Sequence, residues 1–301
     1  MHTPLFLKPH VSPKLWGHEE WAISAHANGP ALIIEGEFAG QSLTTVWHEH
    51  PELFGVDTTQ PFPLLIKELF VHDDLSIQVH PDDSYALAHE GELGKTECWY
   101  VLNAQEGTEV VYGHTAPTQD IFNQLVDHGR FDELIRLQPL HTGDFLFVPS
   151  GTVHALKAGS TIYEVQQSSD TTYRLYDYDR VEEATGEKRE LHIQQSKDVT
   201  TIPHQVDSFE PIVETFGHNQ VTTLLRSNFF NVYRFDIQDT MHFKTQAPYS
   251  LVSVIEGSGQ LIIEDVSYPL QKDTHFILPT RVKSYDLAGQ MSLMVITPPK
   301  N

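Results

Sequence analysis

Leu75-Ser76-Ile77-Gln78-Val79-His80-Pro81 is the stretch on which the fold of this chain turns. A strand sends alternate side chains to opposite faces, so Leu75, Ile77 and Val79 share one face and Ser76, Gln78 and His80 the other. Pro81, with no N–H for a ladder, ends the strand. One face is wholly aliphatic and the other wholly polar, as in the wall of a barrel or sandwich. If the polar face looks inward, Gln78 and His80 aim at one point from backbone positions about 7 Å apart.

The same punctuation continues outward. Short alternating or apolar segments recur at 99–102, 145–148, 161–166, 232–237, 251–255, 261–264, 276–278 and 292–296, with Gly94, Gly107, Gly113, Gly143, Gly151, Gly257 and Gly289 as turns between them. Many short strands of this kind predict an all-β-dominated fold of sandwiches or barrels. Helical periodicity is confined to 83–89 and to a small insertion near 118–137. That insertion reads as two helices, 119–127 and 131–137, broken at Gly129, with Ile121, Leu125, Leu134 and Ile135 on apolar faces. The aperiodic stretch 200–219 carries Pro203, Pro211 and Gly217, so the chain is expected to divide into domains 1–205 and 206–301.

Composition narrows the partners. In 301 residues, 41 Asp and Glu against 19 Lys and Arg give a formal charge of −22. Phosphate backbones and anionic lipids attract basic surfaces, so nucleic acid and membrane are excluded; a small anion would need a local cluster of cations. One cysteine, Cys98, allows no intramolecular disulfide and fits a reducing compartment. No secretory signal is read at the start, and no stretch reaches the ~20 apolar residues of a membrane span. A cytoplasmic protein is expected, as a monomer or a homodimer.

Two further segments supply partners for His80. In Gly94-Lys95-Thr96-Glu97-Cys98-Trp99, alternation puts Lys95, Glu97 and Trp99 on one face. Residues 143–154 have the spacing G-x5-P-x-G-x2-H, in which a strand ends at a Pro/Gly turn that swings His154 inward. That spacing matches the second motif of cupins, except that Ala158 stands where an asparagine usually closes it. His80, Glu97 and His154 thus offer two imidazoles and a carboxylate, with Gln78 as a fourth candidate. Such a set with an open position suits one catalytic Zn²⁺ per chain, and iron or manganese would fit it too. His48 and His50 mimic a ligand pair but are read as surface residues. In 161–174, Ile162, Glu164 and Gln166 share a face, and a Ser168-Ser169-Asp170 turn brings Arg174 back. A glutamate and an arginine there form either a wall ion pair or part of a site.

Together, LSIQVHPDD (75–83), GKTE (94–97), PSGTVHA (149–155) and QQSSDTTYR (166–174), followed by LYDYDR (175–180), resemble the short bacterial form of the type I mannose-6-phosphate isomerases. The resemblance covers roughly residues 60–190, and the Trp16-Gly17 start also fits. It implies two cupin (jelly-roll β-barrel) units. The first would be catalytic; the C-terminal one would be metal-free, since Leu278-Pro279-Thr280-Arg281 stands where Pro-x-Gly-x-x-His would be. It implies a zinc-dependent aldose–ketose isomerase interconverting mannose 6-phosphate and fructose 6-phosphate. Family metal ligands map onto Gln78, His80, Glu97 and His154. The active-site arginine maps onto Arg174, the lysine before the metal glutamate onto Lys95, a pocket glutamate onto Glu164 and a pocket lysine onto Lys67. Longer relatives carry a lysine after the arginine, and Arg180 stands near that place.

This chemistry removes a proton from C2, passes through a cis-enediol(ate) and returns a proton to C1. It needs positive charge beside the reacting oxygens and a base within reach. Lys95 with a lowered pKa, or Glu164 with a raised one, would serve as that base. Arg174 suits the enediolate or the phosphate, and Ser76, Lys67 and Arg180 are the other phosphate candidates. Two other functions share the ligand set: a cupin of another class, such as an iron dioxygenase, and a non-catalytic sugar-phosphate-binding paralogue. Oxygen uptake would mark the first and absence of turnover the second.

Overall fold

The structure, a computed structural model, describes residues 3–181, 186–205 and 209–299. Strands dominate it, arranged in three sheets, with five α-helices among the described residues. The chain forms two compact units built from separated segments. A histidine-rich unit, so termed for its buried His80, His114 and His154, gathers Val11–Glu20 and Leu64–Ser208. An apolar unit, whose one buried histidine among the described residues is His275, gathers Met1–His10, Trp21–Pro63 and Phe209–Asn301. The N-terminal 63 residues are therefore shared between the units instead of belonging wholly with 64–205. One cause is pairing: strand Leu5–Lys8 joins His275–Leu278 on one side and Leu32–Ile33 on the other. The expected boundary after residue 205 adjoins 206–208, which lie outside the described residues.

In the histidine-rich unit a six-stranded sheet runs in the order Phe145–Val148, Glu97–Ala104, Ser160–Gln167, Leu64–Val71, Gly17–Ile23, His10–Lys14. A five-stranded sheet runs Tyr173–Tyr176, Ile77–Val79, His154–Leu156, Glu109–His114, Ile135–Pro139. Leu69, Val101, Leu146 and Ile162 from the first sheet pack with Val110, Tyr112 and Leu156 from the second in one core. The residues alternating with these on the five-stranded sheet, including Val111 and Ala155, turn to its other face. There Ile77 and Val79 join them against Phe122, Leu125 and Val126 of helix Gln119–Asp127.

This explains the two-faced strand. Ile77 and Val79 lie under the helix while Ser76, Gln78 and His80 face the space between the sheets. Leu75, expected beside Ile77 and Val79, packs instead in the core between the sheets, because the strand begins only at Ile77. Burying Ile77 and Val79 stabilises by about 1.5–3 kcal/mol each, and a one-residue slip would reverse both faces, so the register that aims Gln78 and His80 inward is pinned.

Several elements differ from expectation. Helix 131–137 ends early: helix Phe131–Leu134 gives way to strand Ile135–Pro139, because Ile135 and Leu137 pair with His114 and Val111. Ile121 is exposed, and Phe122 takes the buried place on its helix. Helices Leu43–Glu49 and Ile193–Val199 were not anticipated. Segments 251–255 and 261–264 are one strand, Ser250–Ile263. Gly257 lies inside it, paired with Met291 just past a register shift between Val254 and Glu256, rather than at a turn: its φ is +74°, and a Cβ there would stand 2.1 Å from the Gln290 carbonyl oxygen.

The apolar unit carries a ten-stranded sheet. Its core is hydrocarbon and aromatic: Phe235, Val252, Val254, Phe276, Leu287 and Leu293 pack with Phe6. No helix of the described residues is long and apolar enough to cross a membrane.

Candidate active site

Strand registers assemble the site within the histidine-rich unit. Gln78 lies opposite His154 on one neighbouring strand and Arg174 on the other. On the six-stranded sheet Glu97 lies opposite Gln166, and Glu164 lies opposite both Trp99 and Lys67. Residues distant in sequence thus reach one interior point through ordinary ladder pairing.

His80, Glu97 and His154 bring ligand atoms within 4.8 Å of one another, and each residue is 1% exposed. His154 Nε2 stands 3.4 Å from Glu97 Oε1, and His80 Nε2 stands 3.5 Å from Glu97 Oε2. Each ring is oriented by its other nitrogen. His80 Nδ1 lies 2.9 Å from the Thr171 carbonyl and His154 Nδ1 2.9 Å from the Thr152 carbonyl. A carbonyl only accepts, so both protons sit on Nδ1 and both Nε2 lone pairs turn toward the cluster. Burial pulls both imidazole pKa values down, that of His154 to about 4, and keeps the rings neutral.

Glu97 Oε2 is buried without a hydrogen-bond partner, although the Lys95 ammonium lies 3.2 Å away as an ion pair. Lys95 Nζ is also 3.2 Å from His80 Nε2. Three acceptors facing one another in a dry interior call for positive charge between them. Lys95 supplies some at the edge, and a divalent cation fits the centre. The Gln78 amide, 3.3 Å from His154 Nε2, can present Oε1 to the same point by an amide flip.

A cavity of about 190 Å³ opens beside the cluster and is lined by Lys67, Ser76, Gln78, Lys95, Glu164 and Arg174, all anticipated. Lys67 Nζ lies 3.5 Å from Glu19 Oε2 and 3.7 Å from Glu164 Oε2. Trp99 Nε1–H donates to Glu164 Oε1 at 3.0 Å. Burial, reinforced by Glu97, raises the Glu164 carboxyl above its usual range against the pull of Lys95 and Lys67. Burial acts to lower the Lys95 ammonium, but Glu97, Glu164, Glu19 and Asp170 outweigh it and hold that pKa above normal. Lys95 is therefore a cation here, and of the two expected bases only Glu164 is shifted toward neutrality.

Arg180 does not line this cavity. Its Nε and Nη2 donate to Asp177 Oδ1, at 3.1 and 2.5 Å, and its Nη1 donates to the Asp74 carbonyl. Lining residues that sequence reasoning passed over are Lys14, Glu19, Asp170, Thr172 and Arg189. Alternation from Trp16 would have found Lys14, but no spacing signals Glu19 or Arg189. A larger open cleft, about 590 Å³, in the apolar unit is lined by His218, Arg234, Asp236 and Glu256 among others. It holds none of the grouped ligands, so the smaller cavity beside the cluster is the candidate active site.

Known proteins share this architecture. Residues 8–102 match the family described as phosphomannose isomerase type I, catalytic domain, and residues 220–298 match mannose-6-phosphate isomerase, cupin domain. The chain is 43% identical to the mannose-6-phosphate isomerase of Streptococcus mutans over 98% of each chain. It is 40% identical to the mannose-6-phosphate isomerase ManA of Bacillus subtilis, over 97% of this chain and 98% of that one. The crystal structure of a Bacillus subtilis mannose 6-phosphate isomerase superimposes with a TM-score of 0.94 at 40% identity, covering 98% of this chain and 99% of that one. Identity of this extent over whole chains, with the cluster and its cationic cavity in place, means that the chain belongs to the type I mannose-6-phosphate isomerase family.

Proposed function

We propose that the chain is a cytoplasmic, zinc-dependent isomerase that interconverts mannose 6-phosphate and fructose 6-phosphate through a cis-enediol(ate). The observation that carries this reading is the buried His80–Glu97–His154 cluster beside a cavity lined by Lys67, Lys95 and Arg174. His80, Glu97 and His154, with Gln78, would hold zinc, which would supply Lewis acidity at the cavity wall where negative charge develops.

The chain's own residues do the rest. Glu164, whose carboxyl is raised by burial, is the group that accepts the C2 proton and returns it to C1. Its Oε1 accepts from the Trp99 N–H and its Oε2 faces Lys67 Nζ at 3.7 Å, which holds the carboxyl in place at the cavity wall. Lys95 and Arg174 remain charged and stabilise the enediolate oxygens. The cluster and cavity walls exclude bulk water from the reacting carbons.

The test is fructose 6-phosphate formation from mannose 6-phosphate, with chelator and with Zn²⁺ restored. Chelation should abolish turnover, zinc should restore it, and no oxygen should be consumed. Glu164→Gln should lower kcat by about 10²–10⁴-fold with metal content unchanged. Absent or chelator-insensitive turnover overturns the proposal.

A further inference from the structure

We propose that Arg189 is the phosphate anchor of this site, holding the substrate dianion at the Ser76 end of the cavity, while Arg180 keeps Asp177 from neutralising it. The proposal rests on the sugar-phosphate isomerase function above.

Direction comes from register. Arg174 lies opposite Gln78 and Tyr176 opposite Ile77, so the chain from Arg174 to Asp177 runs away from His80 and toward Ser76. Arg180 Nη1 donates to the Asp74 carbonyl, which sets the Asp177 cluster at that same end. Ser76 lies two residues from Gln78, about 7 Å of strand. In a hexose 6-phosphate four carbon–carbon bonds and one carbon–oxygen bond separate C2 from the ester oxygen. With C1 and C2 at the cluster, the phosphate extends toward Ser76.

Arg189 lines the cavity, and its side chain is 14% exposed. Its Nε and Nη2 donate to the two oxygens of Asp177 at 2.7 and 2.5 Å. This two-point contact uses one edge of the guanidinium and leaves Nη1 for a ligand. Asp177 Oδ1 also accepts from Arg180, so one carboxylate serves two guanidiniums and the trio keeps a net positive charge. The other cavity ammoniums face carboxylates of the site itself: Lys14 and Lys67 pair with Glu19, and Lys95 pairs with Glu97. The segment carrying Arg189 is tied down beside Arg174, because His192 N–H donates to the Arg174 carbonyl and Arg174 N–H donates to His192 Nδ1.

The experiment compares wild type, Arg189→Ala, Arg189→Lys and Arg180→Ala by isomerase kinetics and by calorimetric titration with inorganic phosphate, each variant checked for folding and metal content. Arg189→Ala should raise KM for mannose 6-phosphate and weaken phosphate binding by about 10- to 100-fold, with a smaller effect on kcat. Arg189→Lys, which keeps the charge without the fork, should recover part of both. Arg180→Ala should lose less than Arg189→Ala. If Arg189→Ala keeps KM and phosphate affinity within twofold, or if Arg180→Ala takes the larger loss, the assignment is overturned. A wild type that binds phosphate through Arg189 but forms no fructose 6-phosphate would overturn the proposed function and leave the anchor standing.

Discussion

His275 has no part in the cluster, and its burial makes it an acid-sensitive point of the apolar unit. Its Nδ1 lies 2.8 Å from Ser253 Oγ, and burial depresses its pKa to about 4. The unfolded chain binds a proton on this histidine below its ordinary value of 6.5, whereas the folded chain does so only near 4. Its contribution is therefore complete above pH 6.5 and is lost as pH falls to about 4, a swing of roughly 3 kcal/mol. His275→Gln should flatten the dependence of unfolding free energy on pH across that window, as read from denaturant melts. Glu92 illustrates the opposite, wholly local economy of design: its Oε2 accepts from Ser169 Oγ, the Asp170 N–H and Thr171 Oγ1. It thereby orders the turn whose Thr171 carbonyl fixes the His80 ring.

At the scale of elements, the loop before Glu97 is fastened to helix Asp83–His89. Asp82 caps that helix by accepting from the Tyr85 N–H, and Asp83 Oδ1 accepts from the Gly94 N–H and from Gln167 Nε2. Gly94 is required by proximity: a Cβ there would stand 2.4 Å from the Asp82 carbonyl carbon. Backbone cannot move aside as a flexible side chain can. Gly94→Ala should therefore cost about 1–3 kcal/mol and displace Lys95 and Glu97. The measurements are the denaturation midpoint and bound metal per chain, both expected to fall. The motifs PDD and GKTE thus act as one element, Asp82 capping the helix and Asp83 beside it holding the Gly94 backbone.

For the whole molecule, the charge of −22 opposes a dianionic substrate while the cavity attracts it. At low salt, where the screening length is about 30 Å, the substrate feels the full acidic surface; near 0.1 M it is screened beyond about 10 Å. kcat/KM should rise as ionic strength increases between those limits, measured at constant pH with a salt that does not bind the metal. The all-β class and the grouping of His80, Glu97 and His154 are legible because period-two alternation is local, as at residues 77–80, although Leu75 packs with the core between the sheets instead of with Ile77 and Val79. Helix 131–137 was misjudged for the converse reason, since pairing with Glu109–His114 outweighs a local apolar period. The sequence by itself determined which residues are candidate metal ligands and which family the chain resembles, because those signals are spacings along one strand or turn. Only the tertiary structure decided that Lys95 lies against Glu97 and His80, that the N-terminal segments divide between two units, and that Arg189 lines the cavity while Arg180 does not. Those outcomes depend on distances between residues far apart in the chain, which no local spacing encodes.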